Sequence, residues 1–163
     1  MISLDGITFD EGIHIIRGRV GSGKSTLARR LTEDAEFFGN RRILLFQEIE
    51  YHLTEDTVGK EIASWNVKGD EPAFTAFGKL DTARDPYTLS RGELKRLLLS
   101  CILSSDADCL ILDEPYSSLD SDAKEILTEL IRGRSGVTIL FTHEMPNLGA
   151  VFWEIREGKL CRM

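Results

Sequence analysis

One eight-residue stretch constrains this chain more than any other: Gly18-Arg19-Val20-Gly21-Ser22-Gly23-Lys24-Ser25. Closely spaced glycines let a backbone wrap tightly, so successive N–H groups point inward as an anion nest. A β-branched run, Ile13 to Ile16, precedes the stretch, and Leu27, Ala28 and Leu31 follow it at helical spacing. The loop therefore lies between a predicted strand and a predicted helix, whose N-terminus adds the positive end of its dipole. Lys24 offers a point charge to β- and γ-phosphates, and the Ser25 hydroxyl a ligand for Mg²⁺; the spacing G-x-x-x-x-G-K-[ST] is that of a polyphosphate-cradling P-loop. Gly18, Val20, Gly21, Ser22, Gly23, Lys24, Ser25 and Thr26 are the expected nucleotide-binding residues.

The rest of the chain repeats the alternation of strand and helix. Ile43 to Phe46, Cys109 to Leu112 and Val137 to Phe141 are continuous apolar runs. Such runs mark strands covered on both faces in a parallel sheet. Helical patterns separate them, at Leu94, Leu97, Leu98, Cys101 and Ile102, and at Ile126, Leu127, Leu130 and Ile131. The fold class is thus α/β. Val151 to Leu160 reads as a closing hairpin turning at Glu157-Gly158. Residues 48–89 hold Gly59, Gly69, Pro72, Gly78 and Pro86 and no clear buried strand, and read as a small helical insertion.

Four strands hand over to polar residues at their carboxyl ends, where open α/β sheets place ligands. The first enters the glycine loop; the others enter Gln47, Asp113-Glu114 and Thr142-His143. One carboxylate beside Mg²⁺ and phosphate completes the metal's shell, and a second can accept a proton from an attacking water. Ser90-x-x-Glu93 before an amphipathic helix has the form of a capping box, and Asp120 before Ser121-Asp122-Ala123 that of an N-cap. A helix N-terminus favours anions as well, so both positions are compatible with nucleotide contact.

Size and charge narrow the class. The 163 residues fit one domain, on the usual scale of about 100–200 residues each. The net charge of −7 argues against a nucleic-acid partner. The longest apolar run, Leu97 to Leu103, is broken by Ser100 and far short of a membrane span. No secretory signal is visible at Met1 to Asp5, and Cys101, Cys109 and Cys161 form no C-x-x-C pair. They read as reduced packing residues of a cytoplasmic protein, neither disulfide framework nor zinc site.

In this order, the motifs resemble those of the ATP-binding-cassette (ABC) ATPases. Leu89-Ser90-Arg91-Gly92-Glu93 is similar to the family signature L-S-G-G-Q, Ser118-Leu119-Asp120 to its D-loop, Gln47 to its Q-loop and His143 to its switch histidine. The resemblance implies a P-loop NTPase fold over 1–163, with a mostly parallel sheet flanked by helices and a reduced antiparallel N-terminal edge. The RecA-like core would take 1–47 and 90–163, and the helical insertion about 48–89. It implies ATP and Mg²⁺ as ligands and a head-to-tail dimer with a second ABC subunit. Carried over, Glu114, His143 and Gln47 are catalytic, Ser25, Gln47 and Asp113 hold the metal, and Ser90 and Gly92 meet the partner's nucleotide. Ser90, Arg91, Gly92, Glu93, Ser118, Leu119 and Asp120 would form the dimer interface.

Three positions depart from the family pattern. Arg91 replaces the first signature glycine, and Glu144 follows His143 where the family often has Asp. The family's adenine-stacking aromatic lies further before the lysine than this sequence reaches, so selectivity for ATP over GTP is not readable.

Phe46 to Val58 and Asp85 to Ser90 also resemble the energy-coupling-factor and cobalt/nickel importer ATPases. That subfamily implies a motor for import of vitamins or metal ions, peripheral at the cytoplasmic face of a membrane. Residues 48–89 carry nine acids against four bases, most of the chain's net negative charge. This acidic segment would suit basic helices of integral membrane subunits and steer their docking. The alternatives are a soluble ABC ATPase of DNA repair or chromosome maintenance, and a non-transport ATP-dependent scaffold. The first inserts long coiled coils between Q-loop and signature, whereas here only residues 48–89 intervene, without heptads.

Overall fold

A computed structural model describes every residue except Val20 and Glu157. The chain forms two compact units, one comprising Met1–Gln47, Ala107–Pro115 and Arg132–Met163, the other Glu48–Asp106 and Tyr116–Ile131.

The first unit is built on β3 (Gly12–Arg17), β5 (Arg42–Leu45), β6 (Cys109–Asp113), β7 (Val137–Phe141), β8 (Val151–Arg156) and β9 (Lys159–Arg162). They form one sheet in the order β5-β6-β7-β3-β8-β9, parallel except for the closing β8–β9 hairpin. Strands β6 and β7 are buried at every position, as their unbroken apolar runs require. The strand expected to reach Phe46 stops at Leu45, leaving Phe46 and Gln47 exposed beyond the sheet.

Three short strands, β1 (Ile2–Leu4), β2 (Ile7–Phe9) and β4 (Glu36–Phe37), make a separate antiparallel sheet in the order β2-β1-β4. The β1–β2 turn uses Asp5 and Gly6, both at positive φ, which is the geometry that favours Asp-Gly in two-residue hairpins. Helix α1 (Lys24–Glu33) buries Ala28 and Leu31. These two join Ile2, Leu4, Phe9, Ile16, Ile111, Ile139, Phe141 and Trp153 in one apolar core.

Register fixes the site's location. Ile16 lies beside Phe141, Phe141 beside Asp113, and Leu112 beside Leu45. The carboxyl ends of β3, β5, β6 and β7 therefore open along one sheet edge. Glu114 extends the ladder by one step, its N–H donating to the Phe141 carbonyl at 2.8 Å.

The second unit holds α2 (Val58–Ser64), α3 (Pro72–Phe77), α4 (Arg91–Ser104) and α5 (Ser121–Arg132), whose final residue belongs to the first unit. Residues 48–89 supply α2, α3 and two 3-10 turns, Ile49–His52 and Pro86–Thr88, joined by irregular chain. One charge of this segment is not on its surface. Glu61 has 0% exposure, and its carboxylate accepts from the backbone N–H groups of Thr54 and Glu55 and from Trp65 Nε1. A buried carboxylate is tolerated when its lone pairs are satisfied in this way.

Candidate nucleotide site

The glycine loop leaves β3 and ends at α1, whose N-cap is Gly23. Gly18 packs closely on Ser22, whose hydroxyl an added Cβ would run into and push aside. Ser22 N–H donates to the Arg19 carbonyl at 3.0 Å, closing the turn. Lys24 folds back along the loop, its Nζ donating to the carbonyls of Gly18 at 2.8 Å and Arg19 at 3.3 Å. Gly21, Ser25 and Thr26 are exposed. Val20 lies outside the described residues.

The loop meets the end of β6 directly. Ser25 Oγ donates to Asp113 Oδ2 at 2.9 Å, across 88 positions of sequence. Asp113 is buried, and Glu114 follows it at φ +47, a left-handed conformation rare for a non-glycine residue. His143 Nε2 lies 3.4 Å from Glu114 Oε1, with 57% of the His143 side chain exposed against 17% for Glu114. Burial pushes the Glu114 carboxyl above its ordinary pKa; Asp113 adds to the rise, while His143 and Lys24 oppose it. The Thr142 hydroxyl accepts from Glu144 N–H at 3.0 Å and tightens the turn carrying His143. Gln47 follows β5 at the same sheet edge, exposed.

A hydroxyl and a carboxylate drawn together, with a second carboxylate next in sequence, form a hard oxygen set that fits Mg²⁺. That ion keeps several waters and takes one or two carboxylates beside substrate phosphates. Among the described residues no group of three or more His, Cys, Asp or Glu converges into an all-protein cage.

In the second unit, Ser90 and Glu93 form the expected capping box of α4. Ser90 Oγ accepts from Glu93 N–H at 3.2 Å, and Glu93 Oε2 accepts from Ser90 N–H at 2.8 Å. Arg84 Nη1 also donates to Glu93 Oε1 at 3.2 Å, and these bonds hold the Glu93 carboxyl below its ordinary pKa. Arg84 is a residue that the sequence reading missed; nine positions from Glu93, it carries no motif signal. Arg91 is exposed at the first helical position. Gly92 lies against the Ser118 carbonyl, where a Cβ would approach to 3.1 Å. Ser118 is left-handed at φ +64, and Asp120 Oδ1 accepts from Ala123 N–H at 2.8 Å, capping α5. Leu119 is buried within its own chain, so its side chain offers little surface to a second subunit.

The family model described as ABC transporter matches residues 7–117. The chain belongs to the ABC transporter family. A curated relative is the Energy-coupling factor transporter ATP-binding protein EcfA2 of Listeria monocytogenes. It is 29% identical over 181 residues, covering 86% of this chain and 63% of the relative. The chain thus spans less than two thirds of that relative's length. Among solved structures, an ATP-binding subunit of an ABC transporter matches with a TM-score of 0.80 and 16% identity, covering 96% of this chain and 81% of that one. The ATP-binding cassette MJ0796, solved as a dimer in a post-hydrolysis state with ADP and phosphate, matches with a TM-score of 0.75 and 14% identity. It covers 96% of this chain and 88% of that one. These likenesses show that the fold is that of ABC ATPase domains, a mostly parallel sheet flanked by helices.

Proposed function

We propose that this chain binds and hydrolyses Mg-ATP as the motor subunit of an ABC transporter. The observation that carries the reading is the meeting of Ser25, Asp113, Glu114 and His143 at one sheet edge. In this reading the loop N–H groups and Lys24 hold the phosphates. Ser25, Asp113 and Gln47 hold Mg²⁺, which when bound neutralises charge on the phosphate oxygens. Glu114 takes a proton from the water that attacks the γ-phosphorus, and ADP leaves carrying the bridging oxygen. His143 and Glu114, already in contact, orient each other. Glu114's elevated pKa suits proton acceptance better than that of a fully solvated carboxylate.

The motor works as a head-to-tail dimer, with Ser90 and Gly92 of one subunit facing the nucleotide of the other. Two helix N-termini with satisfied caps, at Ser90 and Asp120, support that role because they leave a positive dipole end toward solvent. The test is Glu114→Gln. ATP binding should persist while hydrolysis falls by about 100-fold or more. A stable ATP-dependent dimer on size exclusion completes the expected result. Unchanged turnover would remove Glu114 from the chemistry.

The EcfA2 relative supports an energy-coupling-factor type of importer, for vitamins or metal ions, with the chain seated on integral membrane subunits. Among the described residues, no helix is long and apolar enough to cross a membrane. A peripheral place at the cytoplasmic face follows in this reading. The docking surface is the acidic segment 48–89. There Tyr51 is 78% exposed, and its sequence neighbours Glu48 and Glu50 are exposed as well. An exposed aromatic in an acidic segment suits a partner helix bearing arginines. Glu50→Lys together with Glu55→Lys should weaken co-purification with a membrane subunit, and intact co-purification would exclude this docking.

A further inference from the structure

Helix α5 carries two apolar stripes. Ala123, Leu127 and Ile131 are buried and seat the helix on its own unit. Ile126 and Leu130, also four residues apart, stay half-buried to one side of that stripe. With Ala76, exposed near the end of α3, they line a groove of about 410 Å³ within the second unit. The small Ala76 side chain keeps the α3 wall low. From Asp122 to Leu130 the groove follows about 12 Å of helix. Tyr51, Glu48 and Glu50 take no part in it.

The rest of the lining is Asp122, Glu125 and Glu129, all exposed. Together with Ile126 and Leu130 they recur at spacings of three and four, so all five share one face of α5. Every charged side chain of the lining is thus acidic, among the described residues. The carboxylates of Asp122 and Glu125 have no hydrogen bond or ion pair among the described residues. A neutral cover over the apolar floor would strip water from these groups and give nothing back, which costs free energy. A cover bearing cations replaces the lost water with ion pairs.

The same charges exclude other occupants. Among the described residues no group of three or more His, Cys, Asp or Glu converges to hold a metal ion. Nucleic acid and anionic lipid are repelled. A second copy of the chain would approach with a net charge of −7.

We infer that this groove receives an amphipathic helix of a partner protein. Two apolar residues of that helix, four positions apart, sit on Ile126 and Leu130, and flanking arginines or lysines meet Asp122, Glu125 and Glu129. Helix-in-groove recognition uses this spacing of anchors. A helix suits the groove because α5 presents a ridge of residues four apart, into which the ridges of another helix interdigitate.

Calorimetric titration of the full chain, without nucleotide, tests this with synthetic helical peptides of about 14 residues. One peptide carries two leucines four positions apart, flanked by arginines. A second carries the same leucines flanked by glutamates, and a third keeps the arginines but has serines for leucines. The first should bind about tenfold or more tighter than either of the others, and more weakly as salt is raised. Glu125→Lys together with Glu129→Lys should reverse the preference, so that the glutamate peptide binds tighter than the arginine peptide. A misfolded variant could not show that exchange. Ile126→Ser should weaken the arginine peptide about tenfold, whereas Glu50→Lys should leave it unchanged. Equal binding of the arginine and glutamate peptides would overturn the inference, as would no binding of any peptide. So would a preference that the double reversal leaves in place, or an equal loss in Glu50→Lys. A nucleotide-independent dimer of the wild-type chain that Ile126→Ser dissolves would also overturn it, because the groove would then belong to a second copy.

Discussion

Single residues show how far local chemistry can be read from order alone. Four apolar residues followed by Asp113 and Glu114 announce a buried strand delivering carboxylates, and the structure has that strand. The left-handed backbone of Glu114 and its contact with His143 are not announced, because both depend on β7 lying beside β6. They have a measurable consequence. Burial disfavours the charged Glu114 carboxylate, so its pKa lies above the ordinary glutamate value of about 4.3. A general base works only when deprotonated. The acid limb of kcat/KM against pH should therefore fall at a higher pH than an exposed glutamate would give. Replacing His143 with Gln removes a group that opposes the rise, and should move that limb further up. A limb that does not move would separate His143 from the protonation of Glu114.

Elements were legible where the signal is local. The Ser90-x-x-Glu93 spacing implied a capped helix, and both reciprocal bonds are present. Ser90→Ala should cost about 1 kcal/mol of stability. It should appear as a lower urea midpoint with an unchanged slope. The short strands at the N-terminal edge were legible only as a reduced sheet, since three-residue strands carry no periodicity. Their anchor is non-local. His14 Nε2 donates to the Asp10 carbonyl, and His14 Nδ1 accepts from Trp153 Nε1 at 3.2 Å. This arrangement requires the neutral ring. Burial holds His14 below its ordinary pKa, against the Asp10 carbonyl and carboxylate, with Arg162 assisting. The unfolded chain therefore takes up the proton first as pH falls. The stability is fully present above about pH 6.5 and is lost progressively below it, until the folded pKa is passed. His14→Phe should flatten the decline in melting temperature between pH 7 and 5 relative to wild type. His52, also lowered by burial, acts in the same direction.

At the scale of the whole molecule, charge was readable as a total but not as a distribution. Counting placed nine acids in residues 48–89 as a solvated or docking surface. Yet Glu61 is interior, because whether a carboxylate is buried depends on which donors the fold brings to it. The segment's charge thus divides into two roles. Glu48 and Glu50 are exposed and available to a partner, Asp56 is exposed but paired with Lys60, and Glu61 holds the segment's own backbone together. The two roles predict opposite responses to substitution. Reversing Glu50 should leave the fold intact, because nothing buried loses a partner. Glu61→Leu keeps the volume but strands two backbone N–H groups and the Trp65 indole N–H. A donor left unpaired away from water costs about 1–3 kcal/mol, and these three are partly buried, so the loss should reach about 1–3 kcal/mol. Glu61→Gln retains one acceptor oxygen and should lose less. Urea unfolding of the three variants gives the order wild type, Glu50→Lys, Glu61→Gln, Glu61→Leu, with the first two nearly equal. A Glu61→Leu variant as stable as wild type would mean that these donors find water instead, and that the segment is held by its apolar residues Val58, Phe74 and Phe77 alone.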